Sequence, residues 1–398
     1  MKKLFLIFLT PILLLATHGS TRIEDSAVGR DTILRVLTHE SLNGSLIEVK
    51  GAYSVKDPST LKHMSSSYFK KRYYLSATTD GLNWGRLYKG IHQLEITPKH
   101  KSTSILVDGI QYNGKISCYD ISGKIYLVIE TKVDDYVKSI LSGRFGYRNL
   151  HQTTLEALAI AMRTDLYHKI ATSSNPYWDI KATDHKFYGS SHQMINSTAE
   201  AAVTATKDLI MIHHNRPFPT SWSENCAGKT AAYKTIFRKE VDCPAGVFVP
   251  YAQKKRNDSR WKCSISKRVL AKSLELDSVQ SIEPFKDTVT DKIYGIKVNG
   301  RNLTFRELNF IDLQKLIGEQ RLQSNDFTIK LIDERIEFTG YGNGLGVGIC
   351  LLSAKEMADS GKSTAKVLSS FYPETKIMKL EFVPQVFFEN EAIDTEED

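Results

Sequence analysis

Beyond its first sixteen residues the chain has no apolar run long enough to cross a bilayer as a helix, so no later helical span is expected. Cysteine is sparse: Cys118, Cys226, Cys243, Cys263 and Cys350, with no Cys-x-x-Cys and no Cys/His pair at zinc spacing. That disfavours a structural zinc site, and an odd count leaves at least one thiol unpaired. Cys226 and Cys243 bracket a short loop and are the best disulfide candidates in an oxidising compartment. The densest glycine run lacks the G-x-G-x-x-G spacing of a dinucleotide loop, and no cofactor or metal is expected.

The composition that remains is that of a globular protein, with 41% hydrophobic and 25% charged residues over 398 positions. The net charge of +8 hides an asymmetry. Glu389, Glu391, Asp394, Glu396, Glu397 and Asp398 form an acidic tail (389–398) without a base, so the body before it is more basic still. The tail reads as disordered and the body as suited to a polyanionic partner. At the other end, Lys2 and Lys3 precede the apolar Leu4–Ala16, then Thr17-His18-Gly19-Ser20. Residues 1–20 read as a signal peptide, which predicts an exported, periplasmic or cell-envelope protein. Membrane contact is expected only through that segment if it stays uncleaved. Export argues against nucleic acid as the polyanion.

The pattern along the chain predicts an α+β fold. Residues 31–130 carry short β-branched runs such as Ile33–Leu37, Ser45–Val49 and Ile125–Ile129. Asn43-Gly44, Asp80-Gly81, Asp108-Gly109, Asn113-Gly114 and Ser122-Gly123 punctuate them as hairpin turns. Residues 131–240 read as a helical core. Asp134 or Asp135 is the expected cap of a short helix stopping near Gly143, and Thr153-x-x-Glu156 and Ser197-x-x-Glu200 are capping boxes. A second β subregion spans 261–338 around a helix at Ile311–Ile317. A glycine-rich strand and closing helices occupy 339–380, with Ser363 as a cap. One domain is expected over 21–388.

Gly340-Tyr341-Gly342-Asn343-Gly344-Leu345-Gly346-Val347-Gly348 places glycine at every second position. In a strand this leaves one face bare, fit for close approach by another backbone or by an extended ligand.

The order of these pieces resembles the family of stage II sporulation protein D and the amidase enhancer LytB. The resemblance rests on Val107–Gly114, Asp135–Leu141, Leu155–Thr164, Ser197–Thr206, Ser223–Thr230, Val249-Pro250-Tyr251, the glycine run, Ala354–Ala358 and Phe371–Thr375. It implies an exported protein acting on peptidoglycan glycan strands, as several family members do as lytic transglycosylases in division or wall turnover. The family's acid is the Glu of a Gly-Glu-Met-Pro turn, but the matching Ser142-Gly143-Arg144-Phe145-Gly146 carries Arg144, which cannot exchange a proton at useful pH. The family's His in the glycine block is Leu345, and its Met-Ser-Gln is Ile349-Cys350-Leu351.

Two expectations follow from the resemblance. If cleavage persists, a displaced acid is needed, and Glu224, Asp184 with His185, and Glu156 are the candidates, Glu156 also being explained as a cap residue. If only the sugar groove persists, Arg144 binds carboxylates of the wall polymer. Trp178, Trp222 and Tyr341 then stack on sugar rings, over a floor made by Gly342, Gly344 and Gly346. Such a protein holds to the wall or stimulates a cell-wall amidase. Some relatives bind zinc through a Cys and a His after the second helix; Asp179–His185 supplies Asp184 and His185 but no Cys, so no metal is carried over.

Overall fold

A computed structural model describes residues 32–190 and 197–383. The signal-peptide and acidic-tail expectations lie outside the described residues. The architecture is α+β, as expected, and it is organised around two hydrophobic cores.

The first core takes residues from 34 to 252 and again from 349 to 383. Its seven-stranded sheet runs, in spatial order, Ile180–Lys181, Ile33–Ser41, Lys124–Lys132, Lys115–Ile121, Gln93–Pro98, Tyr53–Lys56 and His63–Ser67. A six-stranded sheet built on Ser45–Lys50 and Lys71–Thr78 shares the same core. Two of the glycine turns close hairpins as expected, whereas Asn43-Gly44 and Asn113-Gly114 carry the chain from one sheet to the other. Asp108-Gly109 and Ser122-Gly123 both have positive φ and close two-residue loops, with Val107 paired to Ile110 and Ile121 to Lys124.

Four helices follow these sheets: α1 (Val133–Phe145), α2 (Gln152–Thr172), α3 (Ala182–His185) and α4 (Ser197–Ala205). The first turn of α1 carries Asp134 and Asp135, and Arg144 sits in its last turn, each favourable to the helix dipole. The cap is Lys132 rather than either aspartate, and Gly143 lies inside the helix instead of ending it. α2 is buried almost all round from Thr154 to Tyr167, as suits a central helix. Its cap is His151, whose Nδ1 accepts from Thr153 N at 3.2 Å, so the Thr153 capping box is corrected. Glu156 instead accepts from Gln152 Nε2 at 3.0 Å and from the Thr364 hydroxyl.

The second core fills the chain between 261 and 338. Two three-stranded antiparallel sheets, with the Phe310–Ile317 and Lys267–Ser273 helices, enclose Leu270, Ile296, Leu313 and Phe338. Arg256 joins the cores through two hydrogen bonds to Asp326, at 2.7 and 2.8 Å.

Candidate functional site

The glycine run is not a bare strand. The strand Arg335–Tyr341 ends where the alternation begins, and Gly342, Gly344, Gly346 and Gly348 have φ of +84°, +105°, +60° and +68°. Glycine is required here by backbone conformation. Residues 221–231 zip against the ribbon through Asn343 N to Asn225 O (2.8 Å), Ala231 N to Gly346 O (2.8 Å) and Ile349 N to Ser221 O (3.0 Å). A side chain at Gly342 would stand 2.5 Å from Asn225 O, one at Gly344 2.9 Å from Ser223 Cβ, and one at Gly346 2.6 Å from Lys292 Nζ. The expectation of an open glycine floor is therefore corrected: the close approach is made by protein backbone and by buried Lys292. Tyr341 is covered by the Arg256 guanidinium, 4.3 Å from its ring. Trp178 stacks on Tyr126 at 5.6 Å and 14°. Each ring thus has one face already taken by a protein group.

What the ribbon and its partner loop do is aim Trp222 and Glu224 at the end of α1. Trp222–Ser223 forms a two-residue parallel ladder with Ile349–Cys350, and Leu352 N donates to Glu224 O at 3.1 Å. Arg144, in the last turn of α1, lies with its guanidinium 5.3 Å from the Trp222 ring centroid. The other neighbour of Trp222 is the His185 ring, stacked at 6.2 Å and 18°. Three residues singled out in the sequence thus form one column: guanidinium, indole, imidazole. Beside it, Arg148 grips Glu224 through both oxygens, each at 2.8 Å.

Below the column is a buried polar network that sequence reasoning missed. His185 is 8% exposed, with Nδ1 3.2 Å from the Tyr136 hydroxyl and Nε2 3.2 Å from Asp165 Oδ2. Asp165 also accepts from Thr220 N at 3.1 Å and pairs with Lys169 Nζ at 3.0 Å. Burial alone would raise the Asp165 carboxyl. The Lys169 charge and the bonds from His185 and Lys169 outweigh it and hold the carboxyl well below its ordinary range. Burial, with the negative charges of Asp184 and Asp165, pushes the Tyr136 phenol well up. Asp184 does not share the buried position of His185. It accepts from Lys181 N at 3.3 Å at the start of α3 and stands 3.9 Å from Lys169 Nζ. One signal did exist in the sequence: Arg163 and Asp165 are charges inside an otherwise apolar helix, which demands partners, and Lys169 lies one turn on.

The cysteine expectation is also corrected. The Cys226 thiol faces Cys350, not Cys243, and Cys226 N approaches Cys350 Sγ at 3.3 Å. Cys350 sits just before the Leu351–Asp359 helix. Its thiol is lowered, first by the hydrogen bond from Cys226 and against burial, with help from Cys226 and Ser353 backbone donors; that donor role raises Cys226 in turn. A cavity of about 270 Å³ lies elsewhere, between the start of α1 and the end of α4, and its walls include neither Arg144 nor the ribbon.

The arrangement is one in which helices α1 and α2 present their ends to a glycine-braced loop. Residues 122–213, which hold α1 to α4, match the family model described as Stage II sporulation protein (SpoIID). This segment match supports the resemblance read from the sequence. The chain is 24% identical over 199 residues to the Stage II sporulation protein D of Bacillus subtilis, covering 50% of this chain and 56% of that protein. An uncharacterized protein of Brachyspira hyodysenteriae is 27% identical over 293 residues, 71% of this chain and 77% of that one. One from Chlamydia muridarum is 32% identical over 182 residues, 45% of this chain and 62% of its own length. Trp222, Glu224 and the glycine ribbon lie beyond the family match.

Proposed function

We propose that this is an exported cell-wall protein that binds peptidoglycan glycan strands through Arg144, braced by Trp222, and has lost the family's acid-dependent cleavage. The observation that carries the reading is the pairing at the end of α1. Arg144 occupies the position where the resemblance implies the catalytic carboxyl, and its charge is laid over an indole. A planar guanidinium is built to meet carboxylates in forked hydrogen bonds, and the lactyl and stem-peptide carboxylates of the wall polymer are such partners. The half-buried indole, held between the guanidinium and the His185 ring, braces that charge at the end of α1.

The sequence-derived acids have other engagements. Glu224 accepts from Arg148 at both oxygens, Asp184 caps α3, and Glu156 links α2 to Thr364. A general acid must hold a proton within reach of the glycosidic oxygen, and a carboxylate gripped on both sides is an acceptor. In this reading the protein anchors at the wall or brings a cell-wall amidase to it.

Incubating the purified protein with peptidoglycan sacculi tests both halves. The protein should sediment with the sacculi and release no 1,6-anhydro-muropeptides detectable by mass spectrometry. Arg144→Ala should weaken sedimentation by about 10-fold or more, the worth of a charge-assisted hydrogen bond. Anhydro ends that appear with the native protein and vanish in Glu224→Gln would establish cleavage instead. Undiminished binding by Arg144→Ala would remove Arg144 from the interface.

A further inference from the structure

The strand Leu209–Ile212 pairs antiparallel with Lys376–Lys379, so the residues after 212 and those before 376 meet at one end of the ladder. The chain turns at once: His213 and Arg216 exchange backbone hydrogen bonds of 2.9 and 3.0 Å, with φ of +45° at His214 and +65° at Asn215. This tight turn puts two imidazoles side by side, ring centroids 4.0 Å apart. Asp242 arrives from a separate loop, with one oxygen 3.3 Å from His213 Nδ1 and the other 2.9 Å from His214 Nδ1. Glu374 comes from the other side. One ligand atom each from His213, His214 and Glu374 lie within 4.8 Å of one another.

His213 carries the argument. Its side chain is only 6% exposed, and although Asp242 is near, buried Nδ1 makes no hydrogen bond. A buried ring nitrogen without such a bond is costly, and this one, on a ring grouped with His214 and Glu374, has an Asp242 oxygen at 3.3 Å, a placement suited to a ligand. The charges agree: two neutral imidazoles and two carboxylates sum to the charge a divalent cation neutralises. The donor set selects the ion. Imidazole nitrogen with carboxylate oxygen suits Zn²⁺ and disfavours Ca²⁺ or Mg²⁺, which take oxygen shells. A tetrahedral zinc with ligands at roughly 2.0–2.1 Å draws its donors to about 3.4 Å apart. Exposed His214 and Glu374 have the freedom to close that distance, while buried His213 is the fixed post.

We propose that His213, His214, Asp242 and Glu374 form a Zn²⁺ site that ties the tip of this ladder to the 242 loop. It shares no residue with α3. Its ligands sit too far apart in sequence for any spacing motif to reveal them.

The test uses the untagged protein, stripped with chelator and titrated with zinc chloride by calorimetry. One equivalent of Zn²⁺ should bind and raise the melting temperature. The His214→Ala/Glu374→Gln double variant changes two exposed side chains, so its unliganded circular dichroism and melting temperature should match the stripped native protein. It should bind zinc at least about 100-fold more weakly, beyond the 10–100-fold typical of losing an outer-sphere partner. Cobalt substitution should give the visible bands of a tetrahedral nitrogen–oxygen site. No stoichiometric zinc uptake would overturn the proposal. So would equal affinity in the double variant, or the strong near-ultraviolet band of thiolate-bound cobalt, which would place the ion on Cys226 and Cys350.

Discussion

Replacing Asp165 by asparagine should destabilise the protein by about 3–5 kcal/mol, the usual cost of removing one partner of a buried charge pair. The carboxylate serves three donors at once, Lys169 Nζ, His185 Nε2 and Thr220 N. The amide keeps the shape but loses the charge that compensates Lys169 in a three-quarters buried position. It also turns an acceptor toward His185 into a group whose nitrogen can only donate. Since His185 supports Trp222, and Trp222 lies under Arg144, the same substitution should also loosen the column at the end of α1.

The pH dependence has a definite sign. A carboxyl whose folded pKa is depressed contributes stability that is complete above its unfolded value, about 3.9 for aspartate, and is lost as pH falls toward the folded value. Burial works against the Lys169 ammonium, but the charges of Asp165 and Asp184 prevail and raise it. Its contribution is complete below the unfolded value of about 10.4 and fades as pH rises through the folded one. The native and Asp165→Asn proteins should therefore differ by a constant amount in denaturant melts between pH 5 and 9, with the gap closing below about 4 and above about 10. A gap that does not shrink at all as pH falls from about 4 to about 2 would mean that packing rather than charge sets the cost.

Gly348→Ala should be nearly as damaging, at about 2–5 kcal/mol. At φ +68° a side chain costs about 1–2 kcal/mol from backbone conformation alone. The added methyl would also press into the Ser221 carbonyl and stand 2.5 Å from the Tyr372 hydroxyl. Those two groups are bonded to each other at 2.8 Å, and the same carbonyl accepts from Ile349 N, so neither can yield freely. Overpacking of this kind adds about 1–3 kcal/mol. Gly361→Ala is the control. Its φ is +76° but nothing lies within 4 Å, so it should cost only the backbone part, about 1–2 kcal/mol. Equal losses in the two variants, measured by denaturant unfolding, would show that the ribbon is not pressed against the 221–231 loop.

Much of the secondary structure was legible because local chemistry and tertiary packing agree there. The alternating runs of the first 130 residues became strands. The Asp-Gly and Ser-Gly pairs became hairpin turns, and Ser363 caps the Thr364–Phe371 helix by accepting from Lys366 N at 3.3 Å. Where several residues compete for one role, the sequence was ambiguous. Lys132 precedes two aspartates and wins the cap of α1, and His151 displaces Thr153 at α2. The glycine ribbon was misread for a different reason. Alternating glycines fit both an extended strand and a series of left-handed turns, and only the loop that packs on them decides. At the candidate site, Arg144, Trp222 and His185 were each identified, but their stacking depends on contacts across 37 to 78 residues that no local pattern encodes. Asp165 and Lys169 carried a signal, charges within an apolar helix, but the link through His185 to Tyr136 joins separate helices and no local pattern names it.

Arg260 and Tyr341 are opposite residues on neighbouring antiparallel strands, so the chain enters and leaves the second core by one doorway about 5 Å wide. An insert hung on such a threshold can be enlarged, exchanged or trimmed to a short turn while the path of the parent scaffold is unchanged. Cutting it away would carry off the Asp326 partner of Arg256 and empty the berth of Lys292 under Gly346. Those two losses mark where a transplanted module must be refitted to its host.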